Sequence, residues 1–325
     1  MHKVKFGVFI LPADIAAAKA AARRAESDGF FSVSVNDHFY SPLGTAQSPQ
    51  LECFTALTAM AGVTSKIRLA PAVAAASFRT PPMLGKIISS VDLASEGRLI
   101  VGLGAGWQPT EYHAHNYPFP PIAVRLEQLD ETIQILKAMW TQAEPTYRGK
   151  HFYIEKAYNN PRPWQKPHPP LMLGGSGTGL LKIAAREATI LNIIPPTGNG
   201  KDFVNDPVAT VKFDMATLKQ RIAVLHKLMR EGGRDPAEME LGGLLLLGLS
   251  RKANDPALRD MASHLGFPSY ESAQAAPVAI LGTPDEAKRE IHKRIKETGV
   301  TYFMFVVSSE ASQELFVKDV MPEFA

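Results

Sequence analysis

The stretch that decides the fold is KVKFGVFILPADIAAAKAAARRAESDGFFSVSVNDHF, residues 3–39. It opens with an apolar run, continues into an alanine-rich segment preceded by Asp14, and closes with a second apolar run. Asp is a preferred residue at a helix N-cap, and a glycine such as Gly29 is a typical stop signal. The stretch therefore predicts a strand, a helix and a second strand, which is the repeating unit of a parallel sheet.

The same alternation continues along the chain. Further strands are predicted at 67–73, 99–103, 171–173, 190–194, 241–249 and 302–307. Helices are predicted at about 82–94, 125–140, 180–186, 214–230 and 255–265, and after a capping box that starts at Thr283. Eight strands alternating with helices in a chain of this size favour a closed (β/α)₈ TIM barrel. An open doubly wound sheet is the alternative, and it is weakened because no G-x-G-x-x-G follows the first strand.

The regular alternation breaks between Thr141 and Pro170. Residues 147–153 predict a short hairpin, and a proline-rich stretch follows them. We expect this segment to be an insertion after the fourth βα unit, inside a single barrel domain spanning 1–325. A second irregular stretch, 195–213, is rich in Gly, Pro, Asn and Asp, and loops of this length often serve as active-site lids.

Composition excludes several classes of protein. Of the 325 residues, 45% are hydrophobic and 21% are charged, which is typical of a globular protein. A net charge of +3 without a Lys/Arg block gives no electrostatic footprint for nucleic acid. No segment reaches the ~20 apolar residues of a membrane span, and the first residues lack the apolar run of a signal peptide. We therefore expect a cytoplasmic protein with no nucleic-acid or membrane partner.

Metal and disulfide chemistry are not expected. The chain has one cysteine, Cys53, which can form neither an intramolecular disulfide nor a cysteine zinc site. His113 and His115 are separated by one residue, but no further ligand spacing accompanies them. This pair is interpreted as part of a solvated loop, and no metal site is predicted.

Candidate site residues lie where strands end, because active sites of (β/α)₈ barrels sit on the loops after the strands. The second strand ends in Asp37 and His38. Histidine exchanges protons near neutral pH, and a carboxylate in the same loop can orient the site. A structural histidine in a surface loop is the alternative. The third strand ends in the small residues 72–76, which let a planar ligand approach the backbone, although plain core packing gives the same pattern.

Glycine-rich segments follow the fourth and fifth strands. The fourth strand ends in GLGAGW, residues 102–107, where Trp107 is suited to stack on a ring or to wall off a pocket. The fifth strand ends in GGSG, residues 174–177, just before a helix. Backbone N–H groups at a helix start attract anions, and glycine allows a phosphate to approach them. The second segment therefore predicts a phosphate site, with a plain flexible turn as the alternative.

Taken together, these segments resemble the bacterial luciferase-like monooxygenase family. The resemblance covers nearly the whole chain and is carried by several ordered motifs: AESDGF at 25–30 leading to NDHF at 36–39, VDLASEGRL at 91–99 followed by GLGAGW at 102–107, PPLMLGG at 169–175, and LGTPDE at 281–286. Within the family, Asp37 and His38 resemble the branch that uses the deazaflavin coenzyme F420.

The resemblance implies roles for individual residues. Asp37 is expected to contact the cofactor, and His38 to be the acid/base beside the substrate. The deazaflavin ring is expected to pack against a non-proline cis peptide between Ala72 and Val73. The family's F420-linked sugar-phosphate dehydrogenases carry a Glu where this chain has Trp107, which argues against that reaction. The full set of expected cofactor-binding residues is Asp37, Ala72, Val73, Gly104, Ala105, Gly106, Trp107, Gly174, Gly175, Ser176 and Gly177.

The expected function is that of an F420-dependent oxidoreductase. A hydride moves between C5 of the deazaflavin and a small organic substrate, and His38 supplies or removes the proton. Two alternatives remain open: an FMN-dependent luciferase-like monooxygenase that uses O₂, and a non-catalytic flavin- or deazaflavin-binding protein on the same scaffold. The resemblance also implies a homodimer.

Overall fold

The computed structural model describes residues 2–41, 45–196 and 211–325. The strands of this part of the chain are β1 (Lys5–Phe9), β2 (Ser32–Val35), β3 (Arg68–Pro71), β4 (Ala74–Ala75), β5 (Val101–Gly104), β6 (Tyr147–Arg148), β7 (Tyr153–Ile154), β8 (Leu171–Gly174), β9 (Ile190–Asn192), β10 (Glu240–Leu249), β11 (Ala279–Gly282) and β12 (Tyr302–Val307). All except β6 and β7 belong to one parallel sheet.

Helices connect these strands. Within the described ranges they are α1 (Ile15–Ser27), α2 (Cys53–Ala61), α3 (Pro81–Ala94), α4 (Pro109–Ala114), α5 (Ile122–Thr141), α6 (Thr178–Glu187), α7 (Met215–Glu231), α8 (Pro256–His264), α9 (Tyr270–Ala275), α10 (Pro284–Thr298) and α11 (Glu310–Leu315). None of these helices is long and apolar enough to cross a membrane.

The sheet closes into the predicted (β/α)₈ barrel. Along the sheet the order is β3-β2-β1-β12-β10-β9-β8-β5-β4, so β3 and β4 stand at its two ends. These two strands are halves of one bent stretch, and a bridge between Leu69 and Leu99 joins β3 to the segment that leads into β5. The bend lies at the peptide bond between Ala72 and Val73, which is cis, as the resemblance implies.

One strand, β11, was not among those predicted. It pairs with the outer half of β10, in the register Leu246 to Ala279 through Leu249 to Gly282. The same edge of β10 pairs with β9 at Glu240–Gly242, so β11 takes the place that β9 leaves free. Residues 278–281 form a short apolar run, and periodicity alone does not distinguish such a run from a helix segment.

The insertion after α5 is a hairpin, as predicted. β6 and β7 pair antiparallel. Glu131 of α5 anchors the turn, because its carboxylate accepts the backbone N–H groups of Lys150 at 2.7 Å, His151 at 3.0 Å and Phe152 at 2.9 Å. The predicted lid at 195–213 lies mostly outside the described residues, since 197–210 are not part of them.

Helix ends follow the local signals in the sequence. Asp14 caps α1 by accepting the N–H of Ala17 at 2.8 Å. Thr283 and Glu286 form the predicted capping box of α10, and Gly299 ends that helix with φ of 73°. These caps satisfy backbone groups that have no partner within the helix.

The inside of the barrel is packed with its own apolar cluster, separate from the larger core between strands and helices. This inner cluster consists of Phe9, Ala70, Ile100, Met172, Ile190, Leu244, Tyr302 and Met304. Phe9 and Leu244 also line the cavity at the mouth of the barrel. The packed interior therefore forms the floor on which the site is built.

Candidate active site

A cavity of about 1060 Å³ opens at the carboxyl ends of the barrel strands. Every residue predicted for the site lines it: Asp37, His38, Ala72, Val73, Gly104, Ala105, Gly106, Trp107, Gly174, Gly175, Ser176 and Gly177. Ligand pockets are typically about 300–1,000 Å³, so this volume gives room for a cofactor together with a substrate. The roles of the listed side chains and backbone segments in catalysis or cofactor binding remain predictions.

His38 is held by a buried carboxylate. Its Nδ1 lies 2.7 Å from Oε2 of Glu111, a residue of α4 with 0% exposure. The other oxygen, Oε1, accepts the backbone N–H groups of Phe39 at 2.7 Å and Tyr40 at 2.9 Å. With Nδ1 bound to a carboxylate, Nε2 is the ring nitrogen left for proton exchange. Glu111 therefore positions both the ring of His38 and the loop that carries it.

Trp107 forms a wall beside this histidine. The two ring centroids are 5.3 Å apart and the planes meet at 74°, so one ring presents its edge to the other. Both side chains line the cavity. The indole thus limits the positions from which a reacting group can reach His38.

Asp37 is engaged by protein partners. Its carboxylate forms a two-pronged ion pair with Arg79 at 2.8 and 2.9 Å and accepts the N–H of Ala75 at 3.1 Å. Arg79 also reaches Glu52, the N-cap of α2, at 2.5 Å. Burial alone raises the pKa of Glu52, but hydrogen bonds from Thr55 and Arg79 outweigh this and hold it below its ordinary value. This network ties the end of β2 to β4 and α2.

Glycine is required at several places on the cavity floor. A Cβ on Gly104 or Gly174 would lie 2.9 or 2.8 Å from Cγ2 of Val73, closer than side chains tolerate. Gly106 has φ of 74°, and a Cβ there would overlap Oη of Tyr112. Glycine at 104 and 174 therefore makes room for the Val73 side chain, which lines the cavity together with the backbone of both glycines.

Tyr112 is a neutral group behind this floor. Its hydroxyl is hydrogen-bonded to Oγ of Ser77 at 2.6 Å. Burial raises the pKa of Tyr112 to about 12, although the hydrogen bond with Ser77 acts in the opposite direction. Tyr112 therefore stays protonated at physiological pH and adds no charge to the cavity.

The start of α6 also lines the cavity. The N-cap of α6 is Gly177, which has no side chain to cap the first turn. An ideal Cβ placed on Gly177 has no described heavy atom within 4 Å, so the space beside it is open. Arg125 lies on the same cavity wall, where its Nη1 donates to the carbonyl of Gly106 and its Nε to that of Pro120 at 3.0 Å. Free helix amides of this kind attract anionic groups.

Several lining residues were not predicted from sequence. Glu111 is 73 positions from His38, so no local motif joins them, and the only signal was an acidic residue near the glycine-rich segment. Gln108 and Arg125, which line the cavity, carried no recognisable spacing, and neither did Arg79, which binds Asp37. Among the described residues, no group of three or more His, Cys, Asp or Glu side chains is arranged to hold a metal ion.

Comparison with known proteins identifies the family. Residues 4–202, more than half of the chain, match the sequence model of the luciferase-like monooxygenases. The chain belongs to this family. Members of the luciferase-like family are oxidoreductases or monooxygenases.

Two relatives each match about half of this chain. An uncharacterised protein of Mycobacterium tuberculosis is 36% identical over 174 residues, which are 49% of this chain and 60% of that protein. The FMNH₂-dependent dimethylsulfone monooxygenase of Pseudomonas putida is 27% identical over 173 residues, 53% of this chain and 47% of the enzyme. The matched region thus spans about half the length of these relatives.

A solved structure agrees with the barrel over the whole chain. The F420-dependent tetrahydromethanopterin reductase of Methanopyrus kandleri superimposes with a TM-score of 0.79, covers 100% of both chains and is 20% identical. At this identity the likeness establishes the fold alone.

Proposed function

We propose that the protein is an F420-dependent oxidoreductase with His38 as its acid/base. The observation that carries this proposal is the pair of His38 and Glu111 on the cavity wall, with Nδ1 and Oε2 2.7 Å apart. The carboxylate fixes the tautomer that has a proton on Nδ1, which leaves Nε2 as the acceptor. A fixed ring of this kind is what proton transfer to and from a reacting oxygen requires.

The residues present fit a flavin-type cofactor. The apolar lining formed by Ala72, Val73 and Gly104 would suit one face of a tricyclic ring. The open amides at the start of α6, beside Ser176 and Gly177, suit a phosphate group. When bound, F420 would supply hydride transfer at C5.

Individual residues take the following proposed roles. Ala72, Val73, Gly104, Ala105, Gly106 and Trp107 would contact the ring, and Gly174, Gly175, Ser176 and Gly177 would contact the phosphate. Asp37 contributes through the backbone it holds, because Arg79 and the amide of Ala75 already use its oxygens. Nε2 of His38 takes the hydroxyl proton when the substrate carbon is oxidised, and returns it to the carbonyl oxygen in the reverse direction.

Reconstitution of the purified protein tests the proposal. Titration with F420, followed by the change in deazaflavin fluorescence, is expected to give a dissociation constant in the micromolar range or below. A parallel titration with FMN is expected to give much weaker binding. Failure to bind F420, together with micromolar binding of FMN, would overturn the proposal.

That second outcome would favour an FMN-dependent monooxygenase. The observation that supports it is the match to the dimethylsulfone monooxygenase of Pseudomonas putida, whose name states dependence on FMNH₂. This function predicts that the protein consumes O₂ only when reduced FMN is supplied. An oxygen electrode with and without a flavin reductase distinguishes it from F420-linked oxidation.

We further propose that the protein acts as a cytoplasmic homodimer on a small-molecule substrate. The support is membership of the luciferase-like family, because the resemblance to that family implies a homodimer. Light scattering coupled to size-exclusion chromatography is expected to give twice the mass of 35.4 kDa. A monomer mass across the micromolar concentration range would contradict the dimer.

A further inference from the structure

We infer that the substrate is an uncharged, mainly apolar alcohol or carbonyl compound. The inference rests on the proposed redox function and specifies the substrate class of the same site. It is carried by the composition of the cavity wall and by the partners of each ionisable side chain in that wall.

Much of the wall away from the glycine segments is apolar. The apolar residues come from the end of β1, from the turn between β4 and α3, from the segment between α4 and α5, from α5, β10 and β12, and from α8 and the residue after it. They are Phe9, Phe78, Phe119, Ile122, Leu126, Leu244, Leu246, Met261, Leu265 and Val306. Such a wall binds a ligand through the burial of hydrocarbon surface.

The two carboxylates of the cavity are bound by groups of the protein. Asp37 is paired with Arg79, and its side chain is 5% exposed. Glu111, with a side chain 1% exposed, is bound to His38 and to two backbone N–H groups. Neither carboxylate is therefore free to bind a cationic substrate.

The described lining contains one Lys or Arg, Arg125. It uses Nε and Nη1 for backbone carbonyls, and its guanidinium lies over the ring of Phe119, with Cζ 3.9 Å from the centroid. The next residue, Leu126, packs at Gly179 of α6, so the charge of Arg125 lies toward the end of the cavity proposed for the cofactor phosphate. His264 has Nδ1 within hydrogen-bond distance of the carbonyl of Asp260, at 2.7 Å.

The reacting group of such a ligand is indicated by His38. Its Nε2 is the ring nitrogen that Glu111 does not bind, and it can take a proton from a hydroxyl or return one to a carbonyl oxygen. Together with the apolar wall and the engaged carboxylates, this favours an alcohol or carbonyl function on an apolar body.

A matched series of secondary alcohols tests the inference. With F420-loaded protein, kcat/KM is expected to rise by about fourfold for each methylene added between butan-2-ol and octan-2-ol. 5-Hydroxyhexanoate, which places a carboxylate at the end of a hexan-2-ol skeleton, is expected to be poorer than hexan-2-ol by at least about 100-fold. Equal or better turnover of the hydroxy acid would overturn the inference.

A substitution in the wall provides the second arm. Leu246 is partly exposed, packs against the core and lines the cavity, so Leu246→Arg adds a cation to the wall, and urea denaturation checks that the variant stays folded. The variant is expected to shrink the difference between hexan-2-ol and 5-hydroxyhexanoate at least tenfold by pairing with the carboxylate. Leu246→Met, which keeps the volume and adds no charge, is expected to leave the ratio unchanged. If the ratio of kcat/KM between the two substrates stayed the same in Leu246→Arg, the apolar part of the substrate would not lie against residue 246.

Calorimetry separates this inference from the proposed function. Binding of hexan-2-one and 5-oxohexanoate to the protein without added cofactor is expected to rank the neutral ketone first. If F420 fails to bind but the neutral ketone still binds better, the cofactor assignment is wrong and the substrate class stands. If F420 binds and the keto acid binds better, the substrate class is wrong and the cofactor assignment stands.

Discussion

At the scale of single residues, Glu111 links the chemistry of the site to its architecture. One oxygen orients His38 and the other holds the backbone of Phe39 and Tyr40. His38→Ala is expected to lower kcat by about 10²–10⁴-fold, because general acid/base catalysis is removed. Stopped-flow or steady-state oxidation of the best alcohol measures this, with the dissociation constant of F420 as the control that should not change.

Glu111→Gln separates positioning from catalysis. The amide keeps the shape but offers one acceptor oxygen instead of two, so His38 loses a fixed tautomer. We expect a smaller loss of kcat than in His38→Ala, a changed pH profile of kcat, and little change in KM. Unchanged turnover in both variants would support the non-catalytic binding protein instead.

Gly106 and Gly177 form a matched pair with opposite expectations. Gly106→Ala places a Cβ against Oη of Tyr112 at a positive φ, so it is expected to destabilise the protein by at least about 2 kcal/mol. Gly177→Ala has an extended backbone and open space, so stability should stay within about 0.5 kcal/mol while F420 affinity falls. Chemical denaturation and F420 titration measure the two effects. Equal stability of both variants would show that the overlap is relieved elsewhere.

The positions of the site residues in the fold were easier to predict from the sequence than the contacts of their side chains. His38 and the glycine segments were found because catalytic residues of a barrel follow its strands. The contact with Glu111 was not found, because it joins β2 to α4 across 73 positions and only folding brings the two together. The pairing of Asp37 with Arg79 was missed for the same reason, at a separation of 42 positions.

At the scale of elements, the insertion hairpin depends on one buried acceptor. Glu131→Gln replaces one of the oxygens that accept the N–H groups of the turn, and it is expected to cost about 2 kcal/mol of unfolding free energy. Glu127 reaches the same turn through Lys150 and His151 but is solvent-exposed, so Glu127→Gln should cost clearly less. Urea denaturation compares the two. A larger loss in Glu127→Gln would contradict the role given to Glu131.

Element boundaries were predictable where a cap fixes them. Asp14 and the capping box at Thr283 marked the helix starts, because these side chains replace the missing backbone partners. The strand β11 was not predicted, because four apolar residues between α9 and α10 carry no period of their own. Its pairing with β10 is decided by the free edge that β9 leaves, which is a tertiary condition.

At the scale of the whole molecule, several carboxylates make the fold sensitive to acid. Burial raises the pKa of Glu26, but N–H groups of Ser65, Lys66 and Ile67 outweigh it, so the folded pKa lies below 4.5. Glu187 has a lowered pKa through Lys137, again against the effect of burial. A folded pKa below the unfolded one contributes stability above about pH 4.5, and this is lost as the pH falls through the folded pKa.

Unfolding free energy is therefore expected to fall steeply below about pH 4.5. The double variant Glu26→Gln and Glu187→Gln should begin from a lower value and show a shallower acid limb. Denaturation at a series of pH values measures both slopes. The same slope in the variant and in the parent would contradict this assignment.

Arg79, which joins Asp37 after β2 to Glu52 at the start of α2, has a consequence for the effect of ionic strength. The side chains of Arg79 and Asp37 are 13% and 5% exposed, so dissolved salt hardly screens the attraction between them. The cavity wall around Asp37 and Ala75 should thus keep its geometry from dilute buffer to molar salt. The amides at the start of α6 face the open cavity, where ions compete for them. A salt-dependent affinity for a phosphate-bearing cofactor would then report on that end of the cavity alone.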